Sequence, residues 1–489
     1  MPNQSHYIAN QWTTGVGSPL IAINPTTSAP SWQGRAATAR EVDLAMQAAR
    51  DAFESWADLP LTTRIDFVQQ FAVALKKRET SLAESICIST GKPRWEAMQE
   101  VASMVGKVAV SIEAYGERCG EKVREVGGSK AITRYKPHGV VAVLGPFNLP
   151  GHLPNGHIVP ALIAGNTVVF KPSEQTPLVG QRMMEIWEEV ALPRGVINMV
   201  QGGRETGIAL AQHRGIDGLF FTGSFAAGLA LSRSFAETPE RILALEMGGN
   251  NPLIVHGVSD MKAATYHTIQ SAYITAGQRC TCARRLIVIE GEESARFLET
   301  LLAMIGRLKV GRWNDEPAPF MGPVISKKAA KNVLEVQDDL LRGGAGALKR
   351  CYAASGGEAM ISPGLVDVTE VSDRGDVEIF GPLLQVIRVK DFDEAITVAN
   401  DTKYGLAAGL LCDDRTMYER FYRRIRAGVI QWNKQTTGAS GQLPFGGVGH
   451  SGNHRPSGYF AADYCSYSQA VYESERLMMP GTMTPGLDC

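Results

Sequence analysis

The sequence lacks the short motifs that mark common metal sites. It contains neither a Cys-x-x-Cys pair nor a His-Glu-x-x-His segment, the spacings typical of structural zinc sites and zinc proteases. We therefore expect no metal ion. An excess of positive charge is also missing, since 49 Lys and Arg residues stand against 50 Asp and Glu residues, a formal charge of −1. This balance gives no reason to expect nucleic acid or an anionic membrane as a partner.

Long apolar runs are absent as well. The run at 157–170 is shorter than the ~20 residues that a membrane span needs, and Pro160, Gly165 and Asn166 interrupt it. Residues 1–10 do not resemble a secretory signal, and the cysteines are scattered, at positions 87, 119, 280, 282, 351, 412, 465 and 489. Scattered thiols of this kind are typical of a reduced compartment, so we expect a cytoplasmic protein.

The composition is that of an ordinary globular protein. The chain has 489 residues, of which 44% are hydrophobic and 20% are charged, values close to the average for soluble proteins. Disorder is therefore excluded for most of the chain. The length allows roughly two to four domains with a large buried core.

Apolar spacing divides the chain into a helical layer and two alternating blocks. From Arg40 to Glu113 apolar residues recur at helical spacing. Beyond Gly139 short apolar strands alternate with helical segments, and a second alternating block follows Pro252. This alternation predicts an α/β fold with a doubly wound parallel sheet. The strands are predicted at 140–145, 167–171, 196–201, 219–222 and 242–246 in the first block, and at 286–290, 383–389 and 428–432 in the second.

Two stretches fit neither block. Residues 122–136 predict a hairpin around Gly127 and Gly128, and residues 459–472 predict a further extended segment. Peripheral strands of this kind often cap a sheet edge or meet another subunit. We therefore expect a homodimer or a homotetramer.

Parallel sheets usually bind a ligand where their strands end. The Gly-x-Gly-x-x-Gly match at Gly447–Gly452 follows no predicted strand and opens no predicted helix, so it is interpreted as a structural loop. Residues 220–228 instead place Gly223 and Ser224 between a strand and a helix, where free backbone N–H groups suit a phosphate.

Lys171 and Glu174 follow a predicted strand and suit the ribose of a nucleotide. Taken in isolation, the two residues are better explained as a solvated strand end. If the nucleotide hypothesis holds, the Glu174 carboxylate favours NAD over NADP, because it repels a 2′-phosphate.

A cysteine and a carboxylate are the candidates for covalent chemistry. Cys280 follows Gly277, Gln278 and Arg279, and a thiol beside an arginine and near a helix end ionises more easily than a free cysteine. A small buried apolar residue is the competing interpretation, and Cys282 is a competing thiol. Glu246 ends an apolar strand before a Gly-Gly turn, where desolvation raises a carboxyl pKa toward that of a useful base; a capping role is the alternative.

Taken together, these segments resemble those of the NAD(P)-dependent aldehyde dehydrogenases, in that family's order. The matching segments are Pro146–Asn148, Lys171–Glu174, Phe221–Ser224, Leu245–Gly249, Gly277–Cys280, Glu378–Pro382 and Pro444–Gly447. The resemblance covers essentially the whole chain. It implies an NAD-dependent aldehyde dehydrogenase, with a variant Rossmann domain at 1–121 and 138–250, an α/β catalytic domain at 251–458, and a small β oligomerisation element at 122–137 and 459–489.

The resemblance also implies a role for each matching residue. Cys280 is the implied nucleophile, Glu246 the general base, and Asn148 the side-chain donor to the oxyanion. The implied NAD-binding residues are Lys171 and Glu174 at the ribose, the turn Gly223 and Ser224 with the helix start Phe225, Ala226, Ala227 and Gly228 at the diphosphate, and Glu378 and Phe380 at the nicotinamide half.

Two segments, Phe147–His157 and Gly449–Cys465, resemble one branch of the family. That branch serves bacterial arginine catabolism and oxidises a small semialdehyde with two carboxylates. Cationic residues are then expected around the substrate, although each candidate is equally explained by an ion pair or a loop contact. The candidates are Arg118, Arg279, His152, His157, His454 and Arg455. Another semialdehyde, a CoA-acylating enzyme and a homologue without activity remain open as alternatives.

Overall fold

The computed structural model describes residues 4–126, 129–479 and 482–487. The helices of these ranges are α1 (Ala39–Ala57), α2 (Leu61–Lys77), α3 (Glu79–Thr90), α4 (Arg94–Cys119), α5 (His152–Ala164), α6 (Pro177–Val190), α7 (Arg204–Ala211), α8 (Phe225–Phe235), α9 (Met261–Tyr273), α10 (Glu292–Ile305), α11 (Lys327–Arg342), α12 (Phe392–Asn400), α13 (Arg415–Arg424) and α14 (Ala461–Tyr464). The predicted helical layer is confirmed as α1 to α4.

The strands of the same ranges form two large sheets and three small ones. They are β1 (His6–Ile8), β2 (Gln11–Thr13), β3 (Pro19–Ile23), β4 (Pro30–Arg35), β5 (Lys122–Val126), β6 (Ser129–Pro137), β7 (Val140–Leu144), β8 (Thr167–Lys171), β9 (Ile197–Met199), β10 (Gly218–Gly223), β11 (Ile242–Met247), β12 (Asn251–Val255), β13 (Ala283–Ile289), β14 (Gly346–Lys349), β15 (Gly364–Asp367), β16 (Leu383–Val389), β17 (Ala407–Leu411), β18 (Val429–Trp432), β19 (Pro444–Phe445), β20 (Ser457–Gly458) and β21 (Ser466–Glu473).

The first large sheet is doubly wound. Its order is β11-β10-β7-β8-β9-β1-β2, and β11 through β9 are parallel. Alternate residues of a central strand enter different cores: Val141 and Val143 pack with the α2 to α6 side, whereas Val140 and Ala142 pack with α1 and α7. Burial on both faces explains why these strands are continuous apolar runs in the sequence.

The second large sheet has the order β14-β15-β16-β13-β12-β17-β18, parallel except for β14. The predicted strand 383–389 has the observed bounds, while 286–290 and 428–432 are shifted by one to three residues. The strands β1 to β4, β12, β14, β15, β17, β19 and β20 were not predicted. The division into domains at residue 250 stays a prediction.

The peripheral segments form a three-stranded antiparallel sheet in the order β21-β6-β5. The predicted hairpin is present as β5 and β6, although Gly127 and Gly128 at its turn lie outside the described residues. The prediction for 459–472 is partly wrong, because α14 precedes β21. A helical turn there buries Ala461, Ala462 and Tyr464 together in one core, which an alternating strand would not do.

The carboxyl ends of four strands lie at one edge of the first sheet. Asn148 lies in the loop after β7, Lys171 ends β8, Ser224 follows β10, and Glu246 lies near the end of β11. From β11 the chain continues through 248–250 into β12, so the amino ends of the second sheet lie close to this edge. Parallel pairing is the reason that residues distant in sequence meet here.

Candidate active site

Cys280 lies in the connection between α9 and β13, and its backbone is held from two sides. The amide of Asn251 donates to the carbonyl oxygens of Cys280 (2.6 Å) and Cys282 (2.8 Å). The Arg284 guanidinium donates to the carbonyl oxygens of Gly277 (2.6 Å) and Arg279 (2.9 Å). Cys280 is partly exposed, so the thiol is held in place while remaining open to a reactant.

The segment before Cys280 adopts an uncommon backbone conformation. Thr275, Ala276 and Gly277 have φ angles of 56°, 51° and 71°, and a non-glycine residue in this region costs of order 1–3 kcal/mol. A Cβ atom at Gly277 would lie 2.1 Å from the carbonyl oxygen of Gly381. Glycine is therefore required at 277 by both the φ angle and the close approach.

The prediction that Cys280 ionises easily is wrong. Burial raises the pKa of the Cys280 thiol to about 12, the negative charges of Glu378 and Glu246 add to the rise, and Arg284 opposes it. The Arg279 side chain does not face the thiol, because it donates to Glu96 (3.0 Å) and to Thr275 (2.8 Å). Arg279 is thus adjacent to Cys280 in sequence but pairs with Glu96 in the folded chain.

Asn148 and the Cys280 segment are directly connected. The Asn148 Nδ2 donates to the carbonyl oxygen of Gln278, two residues before Cys280, at 2.8 Å. An amide carries two N–H groups, so one of them remains available to a substrate oxygen. The Lys92 ammonium donates to the carbonyl oxygen of Asn148 at 2.7 Å.

Glu246 is a buried carboxyl group whose pKa is raised. Its Oε1 accepts the backbone N–H of Ser457 (3.1 Å), and its Oε2 is buried without a hydrogen-bond partner among the described residues. Burial raises the pKa of Glu246 well above its usual range, and the bond from Ser457 opposes the rise only in part. The expected desolvation is therefore present, and the unpartnered oxygen can accept a proton.

The Gly447–Gly452 loop packs on the strand that carries Glu246. The Ser451 hydroxyl donates to the carbonyl oxygen of Gly248 (2.7 Å), and Asn453 exchanges hydrogen bonds with Leu245 and Leu243. These contacts support the interpretation of the Gly-x-Gly-x-x-Gly segment as a structural loop. His450 of the loop stacks on Phe225 at 3.7 Å.

Lys171 and Glu174 lie together at the end of β8. The Lys171 ammonium donates to the carbonyl oxygens of Pro172 and Gly202, both at 2.9 Å, and lies 3.8 Å from a Glu174 oxygen. Burial lowers the pKa of Lys171, and the negative charge of Glu174 opposes that effect. The Glu174 side chain is 47% exposed, so a carboxylate at this strand end is free to accept from sugar hydroxyls.

The turn after β10 begins a helix, as the sequence predicts. The Ser224 Oγ accepts the N–H of Ala227 (3.3 Å), and the N–H of Gly228 donates to the Ser224 carbonyl oxygen (3.0 Å). Ser224, Ala226 and Ala227 are exposed, whereas Phe225 is half-buried. An exposed helix N-terminus at the end of a parallel strand suits a diphosphate.

Glu378 and Phe380 line the other side of the edge. The Glu378 Oε1 accepts the N–H of Gly249 (3.1 Å) and lies 4.0 Å from Arg284. Burial raises the pKa of Glu378 to about 7, although Arg284 and the Gly249 N–H oppose the rise. Phe380 meets Phe147 edge to face at 5.8 Å. A carboxylate and an aromatic ring here suit the nicotinamide half of a dinucleotide, so the residues present fit NAD.

Four of the six candidate cations are engaged or uncharged. Arg118 pairs with Asp463 (2.5 Å), Arg279 pairs with Glu96 (3.0 Å), and His157 bonds to Tyr464 (2.7 Å) and Thr222 (3.1 Å). Burial lowers the pKa of His152 to about 4, so it is neutral at neutral pH. His454 and Arg455 remain as candidates for a substrate carboxylate.

The sequence analysis missed three charged residues next to the site. Lys92, Glu96 and Glu100 are buried, and each of them contacts the Asn148 loop or the Cys280 segment. The available signal was the spacing: Glu96 and Glu100 lie four apart on the same helix face as the apolar Ala97, Val101 and Met104. Acidic residues on a buried helix face indicate polar partners across it.

The described part of the chain has neither a membrane-spanning helix nor a cluster of metal ligands. None of its helices is long and apolar enough to cross a membrane. Among the same residues, no group of three or more His, Cys, Asp or Glu side chains is arranged to hold a metal ion.

Comparison with known proteins identifies the family. Residues 12–471 match the aldehyde dehydrogenase family. The chain is 56% identical to N-succinylglutamate 5-semialdehyde dehydrogenase of Ectopseudomonas mendocina and 53% identical to the enzyme of that name from Chromobacterium violaceum, in each case over 99% of both chains. A solved structure of Thermus 1-pyrroline-5-carboxylate dehydrogenase with bound NAD has a TM-score of 0.90 at 30% identity, covering 96% of this chain and 93% of that one. This chain belongs to the aldehyde dehydrogenase family.

Proposed function

We propose that the protein oxidises N-succinyl-L-glutamate 5-semialdehyde to N-succinyl-L-glutamate with NAD, as a step of arginine catabolism. The substrate is supported by the names of the two relatives that are 56% and 53% identical over nearly the full length. The chemistry is supported by one observation above the others. The Asn148 amide is tied to the segment that presents the Cys280 thiol, at 2.8 Å from the Gln278 carbonyl oxygen.

In this proposal Cys280 forms the covalent bond to substrate. Its sulfur adds to the aldehyde carbon while the thiol proton passes to solvent water, and the carbonyl oxygen becomes an oxyanion that accepts from the Asn148 Nδ2 and the Cys280 N–H. One donor of this kind lowers a barrier by about 2.7–4 kcal/mol. A raised thiol pKa means that the proton must be removed during the step, because little thiolate exists beforehand.

The cofactor residues bind and orient the dinucleotide. Glu174 and Lys171 hold the adenosine ribose, the Ser224 turn with Phe225 to Gly228 holds the diphosphate, and Glu378 and Phe380 hold the nicotinamide ribose and ring. Bound NAD supplies the acceptor for the hydride that leaves the substrate carbon. The exposed Glu174 carboxylate favours NAD over NADP through repulsion of a 2′-phosphate.

Glu246 releases the product. After hydride transfer the acyl group is a thioester on the Cys280 sulfur, and water must attack it. Glu246 takes a proton from that water as the water oxygen bonds to the thioester carbon. The carbon–sulfur bond breaks, the proton passes from Glu246 to the leaving sulfur to restore the thiol, and the acid loses its own proton to solvent and leaves as the carboxylate. The buried Oε2 without a partner supports this role, since a raised pKa makes the carboxylate a stronger base.

A substrate comparison tests the assignment. Purified enzyme is assayed for NADH formation with the N-succinylated semialdehyde and with glutamate 5-semialdehyde, which lacks the succinyl group. We expect kcat/KM to be at least about 100-fold higher for the succinylated substrate, because a site that pairs with a substrate group discriminates against an analogue that lacks it. Equal values would reject this substrate while leaving aldehyde oxidation intact. Acyl-CoA formation on addition of CoA would favour the CoA-acylating alternative.

We further propose a cytoplasmic homo-oligomer, either a dimer or a tetramer. The seven cysteines of the described residues are all free thiols, which suits a reduced compartment. The outer strands β5 and β21 expose apolar side chains, with Val123 at 51%, Val126 at 50% and Tyr472 at 72%. Exposed apolar groups on sheet edges are typical of subunit contacts.

A further inference from the structure

Helix α4 presents two fully buried carboxylates to the candidate site. Glu96 and Glu100 lie four residues apart, so both face the same side of the helix. Neither side chain is exposed to solvent, at 0% each. Burying a carboxylate is costly unless it is paired and hydrogen-bonded, so the partners of these two residues indicate what they do.

Glu100 holds the loop that carries Asn148 from both ends. Its Oε1 accepts the N–H groups of Gly151 (2.9 Å) and His152 (3.2 Å). Its Oε2 accepts from the Lys92 ammonium (2.8 Å), which is 2% exposed and also donates to the Asn148 carbonyl oxygen (2.7 Å). Lys92 thus fixes the Asn148 carbonyl group, and Glu100 fixes the backbone three and four residues further on.

Glu96 holds the segment that precedes Cys280. Its Oε1 accepts from the Thr275 hydroxyl and from the Arg279 guanidinium. Thr275 has a positive φ angle of 56°, a conformation that persists only where surrounding contacts impose it. Glu96 supplies such a contact, one helical turn away from Glu100.

We infer that α4 sets the distance between the oxyanion donor and the nucleophile, with Lys92, Glu96 and Glu100 acting as positioning residues. The inference rests on the proposed function, in which Asn148 and Cys280 act together on the substrate oxygen and carbon. Stability alone does not account for the buried ion pair, because apolar replacements of such pairs are often neutral or stabilising. Directional hydrogen bonds to both segments are what an apolar core could not provide.

A double-mutant comparison separates positioning from general support of the fold. Lys92→Met and Glu100→Gln are each made in the wild-type enzyme and in the Asn148→Ala variant. For every variant we measure the rate of the first NADH burst, the NAD dissociation constant and the melting temperature. We expect each substitution to slow the burst about 10- to 100-fold when Asn148 is present, as misplacement of a reacting group does. In the Asn148→Ala background, Lys92→Met or Glu100→Gln lowers the burst rate by less than a further twofold. The NAD affinity changes less than twofold in all variants.

The controls remove charges of the same sign from exposed positions. Glu113→Gln on the exposed side of α4 and Lys77→Met at the end of α2 remove the same charges and leave the burst unchanged. If Lys92→Met does not fold, Lys92→Met combined with Glu100→Gln, which leaves no buried charge unpaired, is compared in the same two backgrounds.

The possible results distinguish the positioning role of Lys92 and Glu100 from the oxyanion assignment of Asn148. Equal losses with and without Asn148, or a loss that follows only the melting temperature, would overturn the positioning role while the proposed function stands. An Asn148→Ala enzyme with the normal burst would remove the oxyanion assignment and the positioning role together, and that result is visible before any change at Lys92 is considered.

Discussion

Two cysteines lie two residues apart, and only Cys280 is partly exposed, whereas Cys282 is fully buried. We expect Cys280→Ala to lower aldehyde-dependent NADH formation by more than about 10⁴-fold, on the scale known for the loss of a covalent nucleophile. Cys282→Ala keeps most of the activity and lowers the free energy of unfolding by about 1 kcal/mol. Steady-state kinetics and thermal unfolding of both variants check this. Turnover by the Cys280 variant would contradict the nucleophile assignment.

The raised pKa of Glu246 predicts a pH dependence of product release. Below that pKa the carboxyl is protonated and cannot take a proton from water, so hydrolysis of the thioester accelerates as pH rises through it. Glu246→Gln is expected to give one NADH per subunit in a burst and then turn over about 10²–10⁴-fold more slowly, without that pH-dependent limb. Rapid-mixing absorbance at several pH values measures both phases. A missing burst would move Glu246 to an earlier step.

Residue types at the candidate site and the raised pKa of Glu246 could be predicted, but the raised pKa of the Cys280 thiol could not. Cys280, Asn148 and Glu246 are found at one sheet edge, and their catalytic roles stay predictions. The thiol pKa differed from expectation because burial raises it, and because Arg279, the expected cationic neighbour, pairs with Glu96, which is 183 residues away in the chain. Charge partners across such distances depend on packing, and local sequence contains no information on them.

At the scale of elements, the segment 274–277 between α9 and Cys280 contains three successive residues with positive φ angles. Gly277→Ala would place a Cβ atom 2.1 Å from the Gly381 carbonyl oxygen at a φ of 71°. We expect kcat to fall about 100-fold, because the Cys280 segment must shift, while NAD affinity changes little.

The control for this substitution is Gly106→Ala in α4, where an added Cβ meets nothing within 4 Å. It is expected to stabilise the protein by about 0.5–1 kcal/mol, as alanine does in helices. Steady-state kinetics and thermal unfolding compare the two variants. Equal activity of the two would show that the turn tolerates displacement.

Several apolar strands between helices were predicted, whereas the buried strands β12, β15 and β17 and the short strands β1 to β4 were not. The predicted strands 167–171 and 383–389 have the observed bounds because residues buried on both faces form uninterrupted apolar runs. Strands β2 and β4 have the sequences QWT and PSWQGR, so no apolar run marks them. Helix α14 was predicted as extended, because four residues are too few to show a helical period.

At the scale of the whole molecule, the three-stranded sheet predicts the oligomeric state. Val123→Glu places a charge on the exposed face of β5, where Val123 is 51% exposed. We expect it to weaken subunit association, so that the mass measured by light scattering moves toward the 52.8 kDa of one chain. Val73→Glu on α2, where the side chain is 71% exposed, is the control and leaves the mass unchanged. A monomeric wild-type enzyme would contradict the proposed assembly.

The sequence by itself determined the alternation of strands and helices, the motifs of the aldehyde dehydrogenase family and the residue types at the strand ends. These follow from local periodicity and turn chemistry, which act over a few residues. The tertiary structure decided which charges face one another: Glu96 reaches Arg279, Lys92 reaches Asn148, and the carboxyl of Glu246 loses its contact with water. Burial and partner choice set the titration of these groups, and both exist only once the two sheets have packed together.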